Sequence, residues 1–493
     1  MKISIKNVGV VAEAQVDLTK KLTVLCGPNN VGKTYVAYAL YGLLKSVSDL
    51  RISRRPSEAL RAVLAPDDKW EINILDFLKK NEFAILKEYV ADFKTSLFDI
   101  FATDINKFSG AELSVQMDLD ADPVYLEKTI SNTSVDVSYQ LLPGYTYNFK
   151  KPIDSLVLEF TRIIRRTGQV DSVTPEQQIR AKNQVLDLIV PGLILSTVFS
   201  KSFILPTLRT AVNVFNTGLS IKRTQLLDYL GKIQELITPT GELPEPKRVE
   251  TDAMVREAQR SIFNEVKRYT MPVRDSLLVA DDIVRKSKLP GAFGFLADEL
   301  ERTILKGTIS ISEAGEILYS PNNYNDAGLL SVNLWGSMVS SLSSLVFYLR
   351  HLAVKGDLII FDEPELNLHP DNQILIARFL ATLINSGFSV IISTHSDYII
   401  RELNNLIMIN QVPEERFKEL KTLYEYADTH KIKGDDVQVL LFARKDSDAP
   451  NKNIIARIVP IDNNGFEVET IDNTTERLNK ATTDIFISKR TIQ

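Results

Sequence analysis

An α/β fold with a mixed sheet at its core is predicted by three stretches of the sequence. Residues 22–34, "LTVLCGPNNVGKT", run from an apolar strand through a glycine-rich turn into a helical pattern. Residues 358–370, "LIIFDEPELNLHP", carry an apolar strand into the adjacent acids Asp362 and Glu363. Residues 388–400, "FSVIISTHSDYII", repeat the pattern and end in small polar residues and His395. Short apolar runs of this kind suit strands buried on both faces, as in a parallel sheet covered by helices.

The remaining elements follow in order. "KISIKNV", "AEAQVDL" and "KLTVLC" read as strands, and a helix is expected from Lys33 to about Val47. Residues 65–105 have helical spacing with many Lys and Glu. Residues 112–160 return to alternation in "AELSVQMDLD", "VDVSYQLL" and "SLVLEF". From 174 to 303 the pattern is helical, and "TPTGELPEPKRVET" (238–251) reads as a loop or linker. "GTISIS" and "GEILYSP" predict a hairpin, and a helix from 337 leads into the acid-ended strand. "NQILIARFLATLINSG" predicts a helix ending at Gly387. In the tail, "VQVLLFA", "IIARIVPI" and "GFEVETI" read as strands ahead of a closing helix near 474–486.

Composition bounds the class. The chain has 493 residues, 44% hydrophobic and 25% charged, which is ordinary for a globular protein with a large core. A net charge of −5 argues against non-specific coating of nucleic acid. The single cysteine, Cys26, excludes an intramolecular disulfide and fits a reducing compartment. No secretory leader pattern opens the sequence, and no apolar run reaches the roughly 18 residues of a membrane span, so a cytoplasmic location without a membrane partner is expected.

The turn "GPNNVGKT" fits G-x-x-x-x-G-K-[ST] in its required context of strand before and helix after. Gly27, Pro28, Asn29, Asn30, Val31 and Gly32 would wrap phosphates with backbone amides at a helix N-terminus. Lys33 would reach the β- and γ-phosphates, and the Thr34 hydroxyl would ligate Mg²⁺. Paired acids closing an apolar strand repel each other unless something positive meets them. Asp362 would hold Mg²⁺, directly or through water, and Glu363 would act as general base on the attacking water. His395 would hydrogen-bond the γ-phosphate or that water.

Taken together, "GPNNVGKT", "LIIFDEPELNLHP" and "ISTHSDYII" resemble the Walker A, Walker B with D-loop, and switch-histidine motifs of ABC-type ATPases. The likeness is to the subgroup of SMC, RecF and OLD proteins. It implies a P-loop ABC-type ATPase that binds ATP with Mg²⁺ and closes as a dimer or larger assembly around sandwiched ATP. It also implies a D-loop over Glu365 to His369 directed at a second subunit, and a signature helix, here "WGSMVSSLSSLVFYL" (335–349). The resemblance implies Ser337 as its γ-phosphate residue, with Ser340 or Ser341 as alternatives, although the usual glycine pair is missing.

The motifs divide the chain into an N-terminal ATPase lobe at 1–173, a helical insertion at 174–303, a C-terminal ATPase lobe at 304–410 and an α/β tail at 411–493. The interval between the Walker motifs is not the long coiled coil of SMC proteins. "RKDSDAP" (444–450), with Asp446 and Asp448, reads as a polar turn and not as a nuclease D-x-D. The resemblance extends to standalone ATPases of phage-defence pairs such as PARIS and Septu. It implies a sensor or scaffold that holds and releases a separately encoded effector, such as a TOPRIM-type or HNH nuclease or a toxin, in response to a phage-derived trigger protein. The alternative is a RecF-like repair ATPase that clamps DNA, for which "RISRRPSEALR" (51–61) and "FTRIIRRTG" (160–168) are the basic clusters.

Overall fold

The computed structural model describes residues 1–48, 69–118, 122–164, 173–210, 269–281, 291–312, 317–322, 330–331, 336–445 and 454–490. The N-terminal part contributes β1 (Lys2–Val8), β2 (Val11–Asp17), β3 (Leu22–Cys26) and α1 (Lys33–Ser48). Then come β4 (Lys69–Asn73), α2 (Ile74–Lys80), α3 (Ala84–Asp92), α4 (Leu97–Ile100), β5 (Glu112–Gln116) and α5 (Asp122–Ser131). Next are β6 (Val135–Leu142), β7 (Tyr145–Lys151), β8 (Val157–Ile164), α6 (Pro175–Gln184), α7 (Val190–Val198) and β9 (Ser202–Leu205).

The middle supplies α8 (Met271–Asp281), α9 (Gly294–Leu300), β10 (Gly307–Ile311), β11 (Ile317–Pro321) and β12 (Leu330–Ser331). Helix α10 (Ser337–His351), β13 (Leu358–Asp362), α11 (Pro370–Asn385), β14 (Ser389–Thr394) and α12 (Asp397–Ile409) follow. The chain closes with α13 (Glu414–Tyr424), β15 (Val437–Arg444), β16 (Ile454–Val459) and α14 (Glu469–Arg490).

One mixed sheet has the order β5-β1-β2-β16-β15-β3-β14-β13-β9. Strands β15, β3, β14, β13 and β9 run parallel, while β5, β1 and β2 pair antiparallel, as do β15 and β16. The expected mixed-sheet α/β core is therefore present, and each of the four expected segments places at least one strand in it. Strand β13 is buried at every position, which is why its sequence is apolar without alternation. Successive side chains enter opposite cores: Leu358 and Ile360 face one, Ile359 and Phe361 the other. Helix α1 fills the first core with Val36, Leu40 and Leu43, and α10, α11 and α12 fill the second.

Several local expectations are corrected. Residues 69–73 form a strand and not the start of a helix, because Trp70 and Ile72 alternate inward and Trp70 stacks on Phe160 at 4.5 Å across the β4-β8 pair. That pair belongs to a second sheet, β4-β8-β7-β6. Within the stretch expected to alternate, α5 buries Leu126 and Ile130 at helical spacing. Strand β9 lies inside the region expected to be helical; at four residues it is too short to show a period. "GFEVETI" has the alternating burial of a strand at Phe466 and Val468, yet Phe466 exchanges its backbone bonds with the Asn404 side chain, and α14 begins at Glu469. The β10-β11 pairing is as expected. The 238–251 linker and cluster 51–61 lie outside the described residues, as do Asp446, Asp448 and part of cluster 160–168.

If β9 is an integral sheet strand, Ile204→Ala should lower stability by about 2–4 kcal/mol in urea denaturation, as for a buried aliphatic truncation. Leu208→Ala, at a side chain 57% exposed just beyond the strand, should stay within about 0.5 kcal/mol.

Candidate nucleotide site

Parallel strands deliver the site residues because their C-terminal ends lie on one edge of the sheet. Strand β14 separates β3 from β13, so Cys26, Thr394 and Asp362 end neighbouring strands. Beyond Cys26 the chain turns through Gly27 and Gly32, with φ of 134° and 92°, and Asn30, with φ of 64°. A β-carbon on Gly27 would meet the Phe442 carbonyl oxygen at 2.7 Å, and one on Gly32 would meet Val11 at 2.4 Å. The loop is therefore glycine-bound by packing against β15 and β2 as well as by its backbone angles. Pro28, Asn29 and Asn30 are exposed at its tip, and Val31 is buried beneath.

Lys33 is 6% exposed, and its Nζ donates to the carbonyls of Gly27 at 2.7 Å and Pro28 at 2.8 Å. Burial pulls its ammonium pKa down, opposed by the nearby carboxylates of Glu363, Glu365 and Asp362. Asp362 is fully buried and receives hydroxyl donors from three directions. Ser393 donates to Oδ1, Thr207 donates to Oδ2 at 2.7 Å, and Thr34 Oγ1 lies 3.4 Å from Oδ1. Glu363 has a left-handed backbone, φ 50°, and its amide donates to the Ser393 carbonyl and hydroxyl, both at 3.1 Å. Burial raises the Glu363 carboxyl pKa, and repulsion from Asp362 and Glu365 raises it further, with His395 and Lys33 acting the other way.

His395 leaves the end of β14 with its ring half exposed and Nδ1 3.2 Å from Glu365 Oε1. The same oxygen accepts from the His395 amide at 2.8 Å and from Thr394 Oγ1 at 2.9 Å. Glu365 is thus turned inward at 7% exposure, whereas the resemblance had placed it in a segment directed at a second subunit. Its pull is the set of donors at the end of β14. His369 is exposed and caps α11, its Nδ1 accepting from the Asp371 amide.

Ser337 is the first residue of α10 and is exposed, while Ser340 and Ser341 are buried. The Asn372 side chain donates to Met338 Sδ at 3.2 Å, which sets the start of α10 beside the start of α11. Among the described residues no hydrogen bond joins Ser337 to the phosphate loop, whereas Thr34, Asp362, Glu363, Glu365 and His395 are linked by the contacts given above.

Two contributors were missed at the sequence level, Thr207 and Arg209, both in the turn after β9. Arg209 is 1% exposed; Nη1 donates to the carbonyls of Pro206 at 3.3 Å and Asp362 at 2.8 Å, and Nη2 to that of Glu363 at 2.8 Å. Its guanidinium lies 5.0 Å from the centre of the Phe361 ring. A left-handed backbone at a non-glycine residue costs about 1–2 kcal/mol. Two hydrogen bonds from a charged donor contribute about 1.5–3 kcal/mol each, so they outweigh that strain. "SFILPTLR" offered no signal beyond an arginine after an apolar run, because its strand is short.

The residues fit a nucleotide and its metal. Two glycines admit no β-carbon, one buried ammonium is held by loop carbonyls, and a hydroxyl and a carboxylate face each other across 3.4 Å. Mg²⁺ takes few protein oxygens and completes its shell with phosphate and water, which suits this donor pair. Among the described residues no cluster of three or more His, Cys, Asp or Glu offers a metal cage of another kind.

Residues 1–400 match the family model described as an AAA ATPase domain. No curated protein matches the chain. Solved structures similar to it include the Smc head domain with an extended coiled coil bound to the C-terminal domain of ScpA, from Pyrococcus furiosus. That pair is 10% identical over 98% of each chain, with a TM-score of 0.30. Another is the SmcHead bound to the C-winged helix domain of ScpA, 11% identical over 93% of this chain and 98% of that one, also with a TM-score of 0.30. Likeness at that level carries no weight for fold or function.

Glu365→Ala should leave the Thr394 hydroxyl and His395 amide without their acceptor and lower the stability of the nucleotide-free chain by about 2–4 kcal/mol. Glu365→Gln keeps an acceptor oxygen and should lose less than half as much in the same urea titration.

Proposed function

The chain belongs to the AAA ATPase domain family, and from that premise we propose that Lys33, Thr34, Asp362 and Glu363 form its site of ATP hydrolysis. One observation carries the assignment: Thr34 and Asp362, separated by 328 positions in the chain, bring hydroxyl and carboxylate within 3.4 Å. In this reading Lys33 leaves the carbonyls of Gly27 and Pro28 for the β- and γ-phosphates, and the loop amides from Gly27 to Gly32 hold the remaining oxygens. Thr34 and Asp362 would hold Mg²⁺, which supplies charge neutralisation on the phosphates when bound.

Glu363 accepts a proton from a water molecule as its oxygen bonds to the γ-phosphorus. The bond from that phosphorus to the β–γ bridging oxygen breaks, releasing ADP and phosphate. His395, held by Glu365, offers its ring to the γ-phosphate or the water.

The finer reading is an ABC-type arrangement in which two copies close head to tail, Ser337 of each meeting the γ-phosphate bound by the other. An exposed serine at a helix N-terminus, without a hydrogen bond to its own phosphate loop among the described residues, supports that geometry. Its four-part organisation is that set out from the motifs. We place it in an anti-phage system as a sensor or scaffold for a separately encoded nuclease or toxin, a reading that rests on the motif resemblance. Cytoplasmic location belongs to the same reading; among the described residues no helix is long and apolar enough to cross a membrane. An ATP-dependent, salt-sensitive affinity for DNA would instead favour the repair clamp.

Glu363→Gln should retain ATP, lower kcat by about 100-fold or more, and raise the mass of the ATP-bound species in solution scattering. Hydrolysis at the wild-type rate would sink the base assignment. Because the Glu363 pKa is raised above its ordinary 4.5, the base is protonated and idle over a wider acid range. Measured kcat/KM should therefore rise with pH through a midpoint above 4.5, and that limb should vanish in Glu363→Gln.

A further inference from the structure

We propose that Arg209 is a positioning residue for Glu363, holding the backbone on which the general base is mounted. The inference rests on the assignment of Glu363 as base. Arg209 lies buried among Asp362, Glu363 and Glu365, yet among the described residues its hydrogen bonds go to none of their side chains. Its donors reach the main-chain carbonyls of Pro206, Asp362 and Glu363, and its flat face covers the Phe361 ring. A cation needed only to balance charge would gain more from a carboxylate than from a carbonyl. A planar fork with two branches on successive carbonyls fixes the orientation of the peptide unit between them.

That peptide is where the chain leaves β13 and turns left-handed at Glu363. The Glu363 amide is held from the opposite side by Ser393. Arg209 and Ser393 therefore clamp Glu363 at carbonyl and amide and leave its side chain as the moving part. Thr207, two residues before Arg209, holds Asp362 Oδ2, so one turn after β9 fixes both acids by different groups.

The test uses the full chain with Arg209→Met, Arg209→Lys, Glu363→Gln and the double variant Arg209→Met/Glu363→Gln. ATP affinity in Mg²⁺, kcat and thermal melting are measured for each. Arg209→Met should lower kcat by about tenfold to a hundredfold while ATP affinity changes less than about threefold. Arg209→Lys, able to reach one carbonyl, should recover part of the rate. In the Glu363→Gln background the Met substitution should cost no further kcat, since no base remains to be positioned.

A parallel loss of affinity and rate, or an added loss in the double variant, would overturn the role. If Arg209→Met fails to fold, the same cycle with Arg209→Lys decides it, and additive losses there count against the proposal. A dead Glu363→Gln beside a fully active Arg209→Met sinks this inference alone, whereas an active Glu363→Gln sinks the base assignment and the inference with it.

Discussion

Three carboxylates crowd the buried end of one apolar strand, and the architecture around the site answers their repulsion. Asp362 is fully buried, Glu365 nearly so, and Glu363 half-buried between them. Each is treated differently. Asp362 receives the hydroxyls of Ser393 and Thr207, with Thr34 close by. Glu365 receives the end of β14 through Thr394 and His395. Among the described residues no hydrogen bond reaches the Glu363 carboxylate, and burial with the repulsion of its neighbours pushes its pKa up. Donors fix the Asp362 and Glu365 carboxylates in place, and the Glu363 carboxylate is the one left for the proton transfer proposed above.

Those donors come from distant parts of the chain, and only the strand order brings them together. Asp362 pairs in register with Ser393 on one side, and Phe361 with Leu205 on the other. Cys26 and Thr394 are partners one strand further along. A slip of one residue in β13 would turn Asp362 and Phe361 to the wrong faces. The full burial of β13 and β3, divided between two cores, makes such a slip costly. Precision at the site is thus a consequence of aliphatic packing beneath it.

The same physics sets what could be read from the sequence. The phosphate loop, β13 and β14 were legible because each joins an unbroken apolar run to polar residues of specific chemistry. Their convergence followed from parallel pairing. Strand β9 was not legible, since four residues carry no usable period, and with it Thr207 and Arg209 stayed hidden. "KWEIN" sits within a Lys- and Glu-rich helical pattern, and the partner that makes it a strand lies far along the chain in β8. "GFEVETI" alternates for a real reason, burial of Phe466 and Val468, but Asn404 takes the backbone bonds that a strand would have given to a neighbour. Ser337 was placed correctly on a helix start, yet nothing local in the sequence states what that start faces.

Charge balance also constrains how the site is used. Lys33 and Arg209 are two cations set against three carboxyl groups, those of Asp362, Glu363 and Glu365. A polyphosphate entering alone would add repulsion to a site already short of positive charge. A divalent cation held by Asp362, as proposed, would reverse that balance and draw the Glu363 carboxyl toward its charged form. In the proposed reading, the crowding that raises the Glu363 pKa would be relieved by the metal–nucleotide pair and not by nucleotide alone. On that reading, binding of the intact pair and readiness of the proposed base would be one electrostatic event, centred on the turn that Arg209 and Ser393 hold.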